Sequence, residues 1–330
     1  MAVQNSLAKR QENKPQKAGI TAFLNSMAVV ANIDQALGKD NRQRFITGVI
    51  SAVNTNETLK ECTNQSILSG ALLGESLKLS PSPQLGHYYL VPFNDKEKGK
   101  VAQFQLGYKG YIQLAIRSGQ YKKINVLAIK EGELEYFDPL NEDIKVNLMI
   151  DKWDEREAAP TIGYYAMFEL VNGFRKAIYW SKAQMLSHAD EFSPSFSKDA
   201  TTIKTKYGDK KKVSYADYLA GNYDPRDSWM YSSFWYKNFD NMAYKTMLRQ
   251  LISKWGVMSI DLQKAFEGDM GVINEDGSTT YVEEPEPQES DVIDMEQPSQ
   301  EPAQPEPETH EPTQSEAAPM DAQAALFGNN

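Results

Sequence analysis

The stretch that decides the fold is residues 161–180, TIGYYAMFELVNGFRKAIYW. Two runs rich in β-branched and aromatic residues, 161–171 and 174–180, flank the dipeptide Asn172-Gly173. Asn-Gly between two such runs is the strongest short signal for a β-hairpin, because both residues tolerate the positive φ that tight hairpin turns require. The sequence therefore predicts an antiparallel hairpin at this position.

Elements of both kinds are predicted around this hairpin. Apolar residues recur at helical spacing over 18–37, 41–53 and 63–77, which predicts three helices at the start of the domain. Residues 86–93 and 101–107 predict a second hairpin, followed by a helix at 108–117 and a strand at 121–130. The capping box of Ser181 and Gln184 begins a helix to about Asp190, residues 193–213 form a polar loop, and a long final helix covers about 232–255. The chain thus reads as mixed α and β.

Composition limits the classes of protein to consider. Of the 330 residues, 41% are apolar, which is enough for a real core, and the longest apolar runs fall far short of the roughly 20 residues that cross a bilayer. Residues 1–17 are rich in Lys, Gln and Asn, so we expect a flexible polar arm and no secretory signal. The single cysteine, Cys62, has no intramolecular disulfide partner, which fits a reducing cytosol.

Charge divides the chain into two unlike parts. Residues 1–266 hold all 35 Lys and Arg with 28 Asp and Glu, a net charge of +7, whereas residues 267–330 hold 17 acids and no Lys or Arg, a net charge of −17. The Pro- and Glu-rich segment 283–319 lacks the apolar residues that would offset its chain entropy. We therefore expect a basic folded body at 18–266 and a disordered acidic tail at 267–330, whose end, 320–327, is a candidate docking motif.

The helix at 108–117 carries the first basic pattern. Lys109, Gln113 and Arg117 are four residues apart and share one face, while an apolar face opposes them. Gly107 and Gly110 flank the lysine and would admit another backbone, as a nucleic-acid strand requires. A solvated basic stripe on an ordinary amphipathic helix is the alternative interpretation.

Two further segments combine cations with aromatic rings. In residues 234–249 the side chains of Asn241, Lys245 and Arg249 share a face, with Lys237 one turn before them and several aromatic residues upstream, most of which we expect in the core. The loop 193–213 holds the lysines 204, 206 and 210–212 around Tyr207. Rings among cations suit a polynucleotide, because phosphates need neutralising and bases need stacking.

The motifs of nucleotide-driven and metal-dependent enzymes are missing. Neither Gly38-Lys39 nor Gly99-Lys100 is followed by the Ser or Thr of a phosphate-binding loop, so we expect no ATP site and no cofactor. The three histidines are scattered, which gives no metal motif. Two alternatives remain: a metal-dependent DNA nuclease using Glu131, Glu133, Glu135 and Asp138, or a scaffold that acts through the acidic tail.

Three segments, in order, resemble the RecT family of phage and prophage single-strand annealing proteins. They are 79–93, LSPSPQLGHYYLVPF; 106–119, LGYKGYIQLAIRSG; and 235–255, around the final helix. The resemblance spans about 20–266 and leaves out the tail. It implies an α+β fold with N-terminal helices, β-hairpins forming a small antiparallel sheet and a long C-terminal helix, distantly akin to the eukaryotic annealing recombinases.

The resemblance also implies a function. It implies ATP-independent binding of single-stranded DNA and annealing of complementary strands in homologous recombination, by a non-enzymatic oligomer that forms rings or filaments in the bacterial cytoplasm. The tail would dock a partner exonuclease or the host single-strand-binding protein. Carried onto this chain, the implied DNA-binding residues are Lys109, Gln113, Arg117, Lys206, Lys210, Lys237, Lys245, Arg249, Tyr108, Tyr111 and Tyr207.

Overall fold

The hairpin around Asn172-Gly173 forms as the sequence predicts. In the computed structural model, which describes residues 19–95, 98–205, 208–274 and 276–281, its strands are Thr161–Leu170 and Arg175–Ser181. Gly173 has a φ of 87°, in the left-handed region that glycine adopts without steric cost. The Asn172 side chain accepts a hydrogen bond from the Phe174 N–H at 3.0 Å, which closes the turn.

Helices and strands are interspersed along the described chain. The helices are α1 (Ile20–Leu24), α2 (Met27–Leu37), α3 (Lys39–Thr55), α4 (Asn64–Ser76), α5 (Tyr108–Arg117), α6 (Trp153–Ala158), α7 (Lys182–Phe192), α8 (Tyr215–Leu219), α9 (Phe234–Lys237), α10 (Phe239–Trp255) and α11 (Ile260–Gly268). The strands are β1 (Tyr88–Asp95), β2 (Gly99–Leu106), β3 (Tyr121–Lys130), β4 (Leu134–Asp138), β5 (Asp143–Val146), β6 (Thr161–Leu170), β7 (Arg175–Ser181), β8 (Thr201–Thr205), β9 (Gly208–Lys212), β10 (Val272–Ile273) and β11 (Thr279–Thr280). Glu57–Glu61 and Pro225–Tyr231 form 3₁₀ helices.

All strand pairings between these elements are antiparallel. The largest sheet has the order β3-β6-β7, and β1-β2, β4-β5, β8-β9 and β10-β11 form two-stranded sheets. Helices α1 to α4 precede every strand. The α+β fold with N-terminal helices and small antiparallel sheets is therefore confirmed.

The core joins α10 to both the largest sheet and α5. Tyr164 and Phe168 of β6, Leu248 and Leu251 of α10, and Leu114 of α5 are at most 1% exposed and belong to one apolar cluster. Burial of a large apolar side chain contributes roughly 1.5–3 kcal/mol. The packing fixes α5 on α10 and the sheet, so that the outer side of α5 sits on a rigid support.

The final helix differs from the prediction, since it is interrupted at Asn238. That residue has φ −149° and ψ 63°, between α9 and α10. Asparagine is a weak helix former because its side chain competes for backbone hydrogen bonds. The break at Asn238 could not be predicted, because the spacing of the aromatic residues continues across it.

The segment expected to be a polar loop at 193–213 contains the hairpin β8-β9. Its residues are mostly Thr and Lys, so neither face carries the apolar alternation that usually marks a strand. Lys212 is nevertheless only 3% exposed, and its Nζ donates to the Ser195 carbonyl at 2.8 Å. The hairpin therefore buries the aliphatic part of the Lys212 side chain, while the amino group is hydrogen-bonded.

The folded body continues past the expected boundary at residue 266. Asp269, Val272 and Ile273 are buried, and the Phe104 N–H donates to the Gly271 carbonyl at 2.8 Å, so the chain after α11 lies along β2. Val272 and Ile273 form an apolar run of only two residues, and so short a run does not predict a buried segment. The folded part therefore extends at least to Tyr281.

Two expectations fall on residues that the structure does not describe. They are the polar arm at 1–17 and the acidic tail beyond residue 281. Among the helices that the structure describes, none combines the length and apolarity that crossing a membrane would need.

Candidate nucleic-acid interface

The outer face of α5 presents three of the predicted residues to solvent. Lys109, Gln113 and Arg117 are all exposed, whereas Leu114 on the inner face is buried. The pKa of the neighbouring His87 is lowered by burial and further by the positive charges of Arg117 and Lys109. The three residues therefore share one exposed face of α5, and its two cations lie close enough to His87 to affect its pKa.

Arg117 is held in place by the end of α4. Its guanidinium donates to the Leu77 carbonyl at 2.6 Å and to the Lys78 carbonyl at 3.4 Å. These carbonyls belong to the helix C-terminus, where a positive charge is favourable. Arg117 therefore stands at a fixed position on the surface, while part of its donor capacity is used within the fold.

The two glycines beside Lys109 have a different role from the expected one. A Cβ at Gly107 would lie closer than 3.0 Å to the carbonyl oxygen of Gly86, and one at Gly110 equally close to that of His87. The backbone that approaches α5 so closely is the chain's own. These glycines seat the helix against the segment before β1 and leave no gap there for DNA.

Beside this face lies a row of three rings, the tyrosine seam, made of Tyr108, Tyr244 and Tyr164. Tyr89 lies near its start, because its ring would be 3.2 Å from a Cβ at Gly107, the residue before Tyr108. The rings of Tyr108 and Tyr244 are 5.5 Å apart and those of Tyr244 and Tyr164 are 6.0 Å apart, both edge to face. Tyr89, Tyr108 and Tyr244 are half-buried. Burial raises the pKa of Tyr244 to about 12, so it remains a neutral ring at physiological pH. Partly exposed neutral rings are groups on which bases can stack.

Most of the tyrosine seam, and Tyr89 beside it, could not be predicted from the sequence. Tyr89 follows Tyr88 in β1, and strand alternation buries Tyr88 while leaving Tyr89 partly exposed. Tyr244 belongs to α10 and meets Tyr108 of α5 only through the fold. The alternation of adjacent tyrosines in β1 was the one signal available in the sequence.

Lys182 lies at the far end of the seam. Its Nζ donates to the Tyr164 hydroxyl at 2.9 Å, lies 3.7 Å from the Phe239 ring centroid, and is 3.8 Å from the Asp240 carboxylate. Burial lowers the pKa of Lys182 to about 8, although the charge of Asp240 opposes this shift. A cation that titrates close to neutrality therefore adjoins a row of rings.

Three other predicted residues surround a buried carboxylate, in a group that we call the Asp269 cluster. Asp269 accepts hydrogen bonds from Lys245 Nζ at 2.9 Å, Arg249 Nη1 at 2.7 Å and the Tyr111 hydroxyl at 2.8 Å, and from the Leu106 N–H at 2.9 Å. Tyr111 is 0% exposed and the Lys245 side chain 9%. These residues are engaged inside the fold. Lys245 and Arg249 on the shared face of α10 both bind this internal carboxylate, although the Arg249 side chain remains 39% exposed.

The remaining predicted residues lie on or near the β8-β9 hairpin and α9. Lys210 is half-buried and its Nζ lies 2.8 Å from the Asp227 carboxylate. Lys237 is exposed at the end of α9. Lys206 and Tyr207 lie outside the described residues. The hairpin rests on the 3₁₀ helix before α9, where the Val213 N–H donates to the Tyr231 hydroxyl at 2.9 Å.

The acidic alternation at 131–135 places its central carboxylate inside the fold. Glu133 is 0% exposed, accepts from Arg156 Nε at 2.6 Å, and also accepts from the N–H groups of Lys130 and Met149. Burial favours the neutral acid, but these hydrogen bonds outweigh it and lower the pKa of Glu133. Its oxygens stabilise the turn between β3 and β4 and are occupied there. Within the described ranges, no three His, Cys, Asp or Glu side chains are grouped as metal ligands.

Comparison with known proteins gives matches over most of the chain. The model of the RecT family matches residues 43–289. The uncharacterized protein YqaK of Bacillus subtilis (strain 168) is 35% identical over 324 residues, which cover 97% of this chain and 93% of that protein. Protein RecT of Escherichia coli (strain K12) is 28% identical over 271 residues, which cover 80% of this chain and 86% of that protein.

Proposed function

The chain belongs to the RecT family, and we propose that it anneals complementary single strands of DNA without a nucleotide cofactor and as an oligomer. Membership of the family supports a role in DNA recombination through DNA binding and single-strand annealing. The proposal concerns how this chain performs that role. Single strands of DNA would be bound through their phosphates, which leaves the bases available for pairing.

The observation that carries the proposal is the outer face of α5 beside the tyrosine seam. Lys109 and Arg117 are exposed cations on a helix whose inner side is packed, and Tyr108 joins them to the seam, since Lys109 Nζ lies 6.0 Å from its ring. Phosphates need fixed positive charge and bases need flat rings. Neither group reads base edges, which suits a protein that leaves sequence recognition to Watson–Crick pairing.

Annealing requires no nucleotide hydrolysis on energetic grounds. Each stacked base-pair step of a DNA duplex contributes about 1.4 kcal/mol, so pairing of two strands is downhill once they are aligned. The protein has only to reduce the electrostatic repulsion between strands and hold the bases open. The absence of a phosphate-binding loop sequence agrees with this mechanism.

The partners follow from the same reasoning. We infer that single-stranded DNA and the annealed duplex bind the body, in the bacterial cytoplasm where replicating DNA is found. The tail, with a net charge of −17 over 267–330, suits a protein partner and not DNA, and we propose a partner exonuclease or the host single-strand-binding protein.

The experiment is annealing of two labelled complementary oligonucleotides in EDTA without nucleotide. We expect duplex to form faster with the protein than without it, and strand lengths to be unchanged. Lys109→Ala should weaken single-strand binding and lower the slope of log K against log salt by roughly 0.7, the value for one lost phosphate contact. Shortened strands would instead indicate a nuclease.

Lys39→Ala is the matched control. Lys39 is an exposed lysine at the first position of α3 and is not part of the α5 face. Equal losses in the two variants would mean that only total charge matters. An unchanged slope for Lys109→Ala would remove the α5 face from the interface.

A further inference from the structure

Four exposed apolar side chains lie between the last residue of α10 and the first residue of α11. Trp255, Val257, Met258 and Ile260 are 38%, 37%, 40% and 73% exposed, within six consecutive residues. We call them the α10–α11 patch. The Tyr121 hydroxyl donates to the Val257 carbonyl at 3.0 Å, so the patch lies beside the first residue of β3. Clustered exposed apolar residues of this kind mark interaction surfaces.

A second apolar group is exposed around α6. Ile150 is 72% and Trp153 60% exposed, and we call them the α6 patch. Tryptophan is highly buried on average and is among the residues most enriched at the hot spots of interfaces. The α6 patch lies beside the last residues of β3, because Arg156 Nη2 donates to the Ala128 carbonyl at 2.9 Å.

The two patches differ in the sign of the charge around them. Four exposed acids lie around Trp153, namely Asp151, Asp154, Glu155 and Glu157. They outnumber the two cations there, Lys152, which pairs with Glu155 at 3.0 Å, and Arg156, which lies 5.9 Å from the Trp153 ring centroid and pairs with the buried Glu133. By contrast, Trp255 lies between two lysines, with Lys176 Nζ at 4.4 Å and Lys254 Nζ at 5.8 Å from its ring centroid, and of these two Lys176 also pairs with Glu142. Opposite charges around two apolar centres are the complementarity that selects a partner and fixes its orientation.

We propose that the α6 patch of one copy of this chain docks on the α10–α11 patch of the next, building a head-to-tail assembly. The patches adjoin opposite ends of β3, whose ten residues span about 30 Å. An interface between two different patches at opposite ends of a subunit does not close in a dimer but continues into a ring or a helical filament. The inference rests on the proposed function only for the expectation that the protein assembles.

The test uses two variants that each block one end. Wild-type protein should show a mass that rises with concentration well above the 37.2 kDa of one chain, in size-exclusion chromatography with light scattering. Trp153→Glu alone and Ile260→Glu alone should each stay at the mass of one chain, because in either sample every possible contact would need the patch that is blocked. Their equimolar mixture should form a complex of two chains and no larger species, since one intact patch of each kind remains.

Controls separate assembly from folding and from DNA binding. Leu219→Glu, at a residue 64% exposed on α8, introduces the same charge elsewhere and should assemble like the wild type. Both blocking variants should keep the wild-type thermal unfolding midpoint and bind a short oligonucleotide. If one unfolds early, Asp154→Lys with Glu155→Lys tests the α6 end by charge reversal and should abolish assembly.

Several results would overturn the inference. One is a wild-type protein that has the mass of a single chain at all concentrations, with and without DNA. Another is blocking variants that still assemble when each is alone. A third is an equimolar mixture of the two variants that forms either no complex or long assemblies. Capture of another protein by the patches without self-association would also overturn it. Loss of oligonucleotide binding with normal assembly would instead count against the proposed function and leave the inference standing.

Discussion

Replacing Asp269 with asparagine is the sharpest test of how this fold uses its cations. The substitution keeps the shape of the side chain and removes the one negative charge between Lys245 and Arg249. Lys245 is 9% exposed and Arg249 39%, so water can solvate much of the arginine but little of the lysine. The penalty should therefore fall mainly on Lys245.

The magnitude follows from breaking a buried ion pair. Removing one partner and leaving the other charge buried costs about 3–5 kcal/mol, a large share of the 5–15 kcal/mol that stabilises a typical domain. We expect Asp269→Asn to lower the free energy of unfolding by about that amount. Lys245→Met should cost less, because Asp269 would keep Arg249, Tyr111 and the Leu106 N–H as donors.

The assay is urea unfolding at one fixed protein concentration, followed by the fluorescence of the five tryptophans. In the double variant Asp269→Asn/Lys245→Met the unpaired lysine is gone, so we expect a coupling energy above about 1 kcal/mol. Asp199→Asn, at a carboxylate 81% exposed, should change stability by less than about 0.5 kcal/mol. If Asp269→Asn behaves like this control, the cluster does not hold the fold together and our reasoning fails.

Three further outcomes are expected. Gly110→Ala should destabilise the protein by roughly 1–3 kcal/mol in urea unfolding, since its Cβ would overlap the chain's own backbone, whereas Gly48→Ala, with only an ordinary contact to its new Cβ, should not. Because the pKa of Lys182 is about 8, its positive charge is lost as pH rises from 7 to 9. Oligonucleotide affinity, measured by fluorescence anisotropy at fixed ionic strength, should therefore fall roughly fivefold over this range. The Lys182→Arg variant, which keeps its charge, should not show this fall. A chain of residues 1–281 should fold and bind DNA in the same anisotropy assay, and this result would also count against the scaffold alternative. A chain of residues 1–266 should have a lower melting temperature than 1–281, because it lacks Asp269. Equal melting temperatures for the two truncated chains would contradict this prediction.

The sequence predicted the elements well where a local pattern decides them. The bounds of α5 and β3 match the expectation, because an amphipathic face, a Ser-Gly end and a run of β-branched residues are encoded within a few positions. Periodicity gives the residues that share a face, but not what that face meets. Lys109 and Lys245 have the same four-residue spacing to their neighbours, yet one is exposed and the other bonds to Asp269, 24 positions away along the chain. The tyrosine seam depends on contacts of the same long-range kind.

The Asp269 cluster also explains why the outer face of α5 is a sound platform for DNA. Tyr111 lies on the inner side of α5, two positions after Lys109, and its hydroxyl donates to Asp269 while accepting from Arg249 Nη1 at 3.1 Å. The cluster thereby ties α5 to α10 and to the segment after α11 through charged hydrogen bonds, which are stronger than neutral ones. Phosphate binding by an exposed lysine loses less conformational entropy when the backbone beneath it is already fixed. Cations that resemble DNA ligands in the sequence would thus contribute to binding indirectly, by holding rigid the helix that carries the exposed ones.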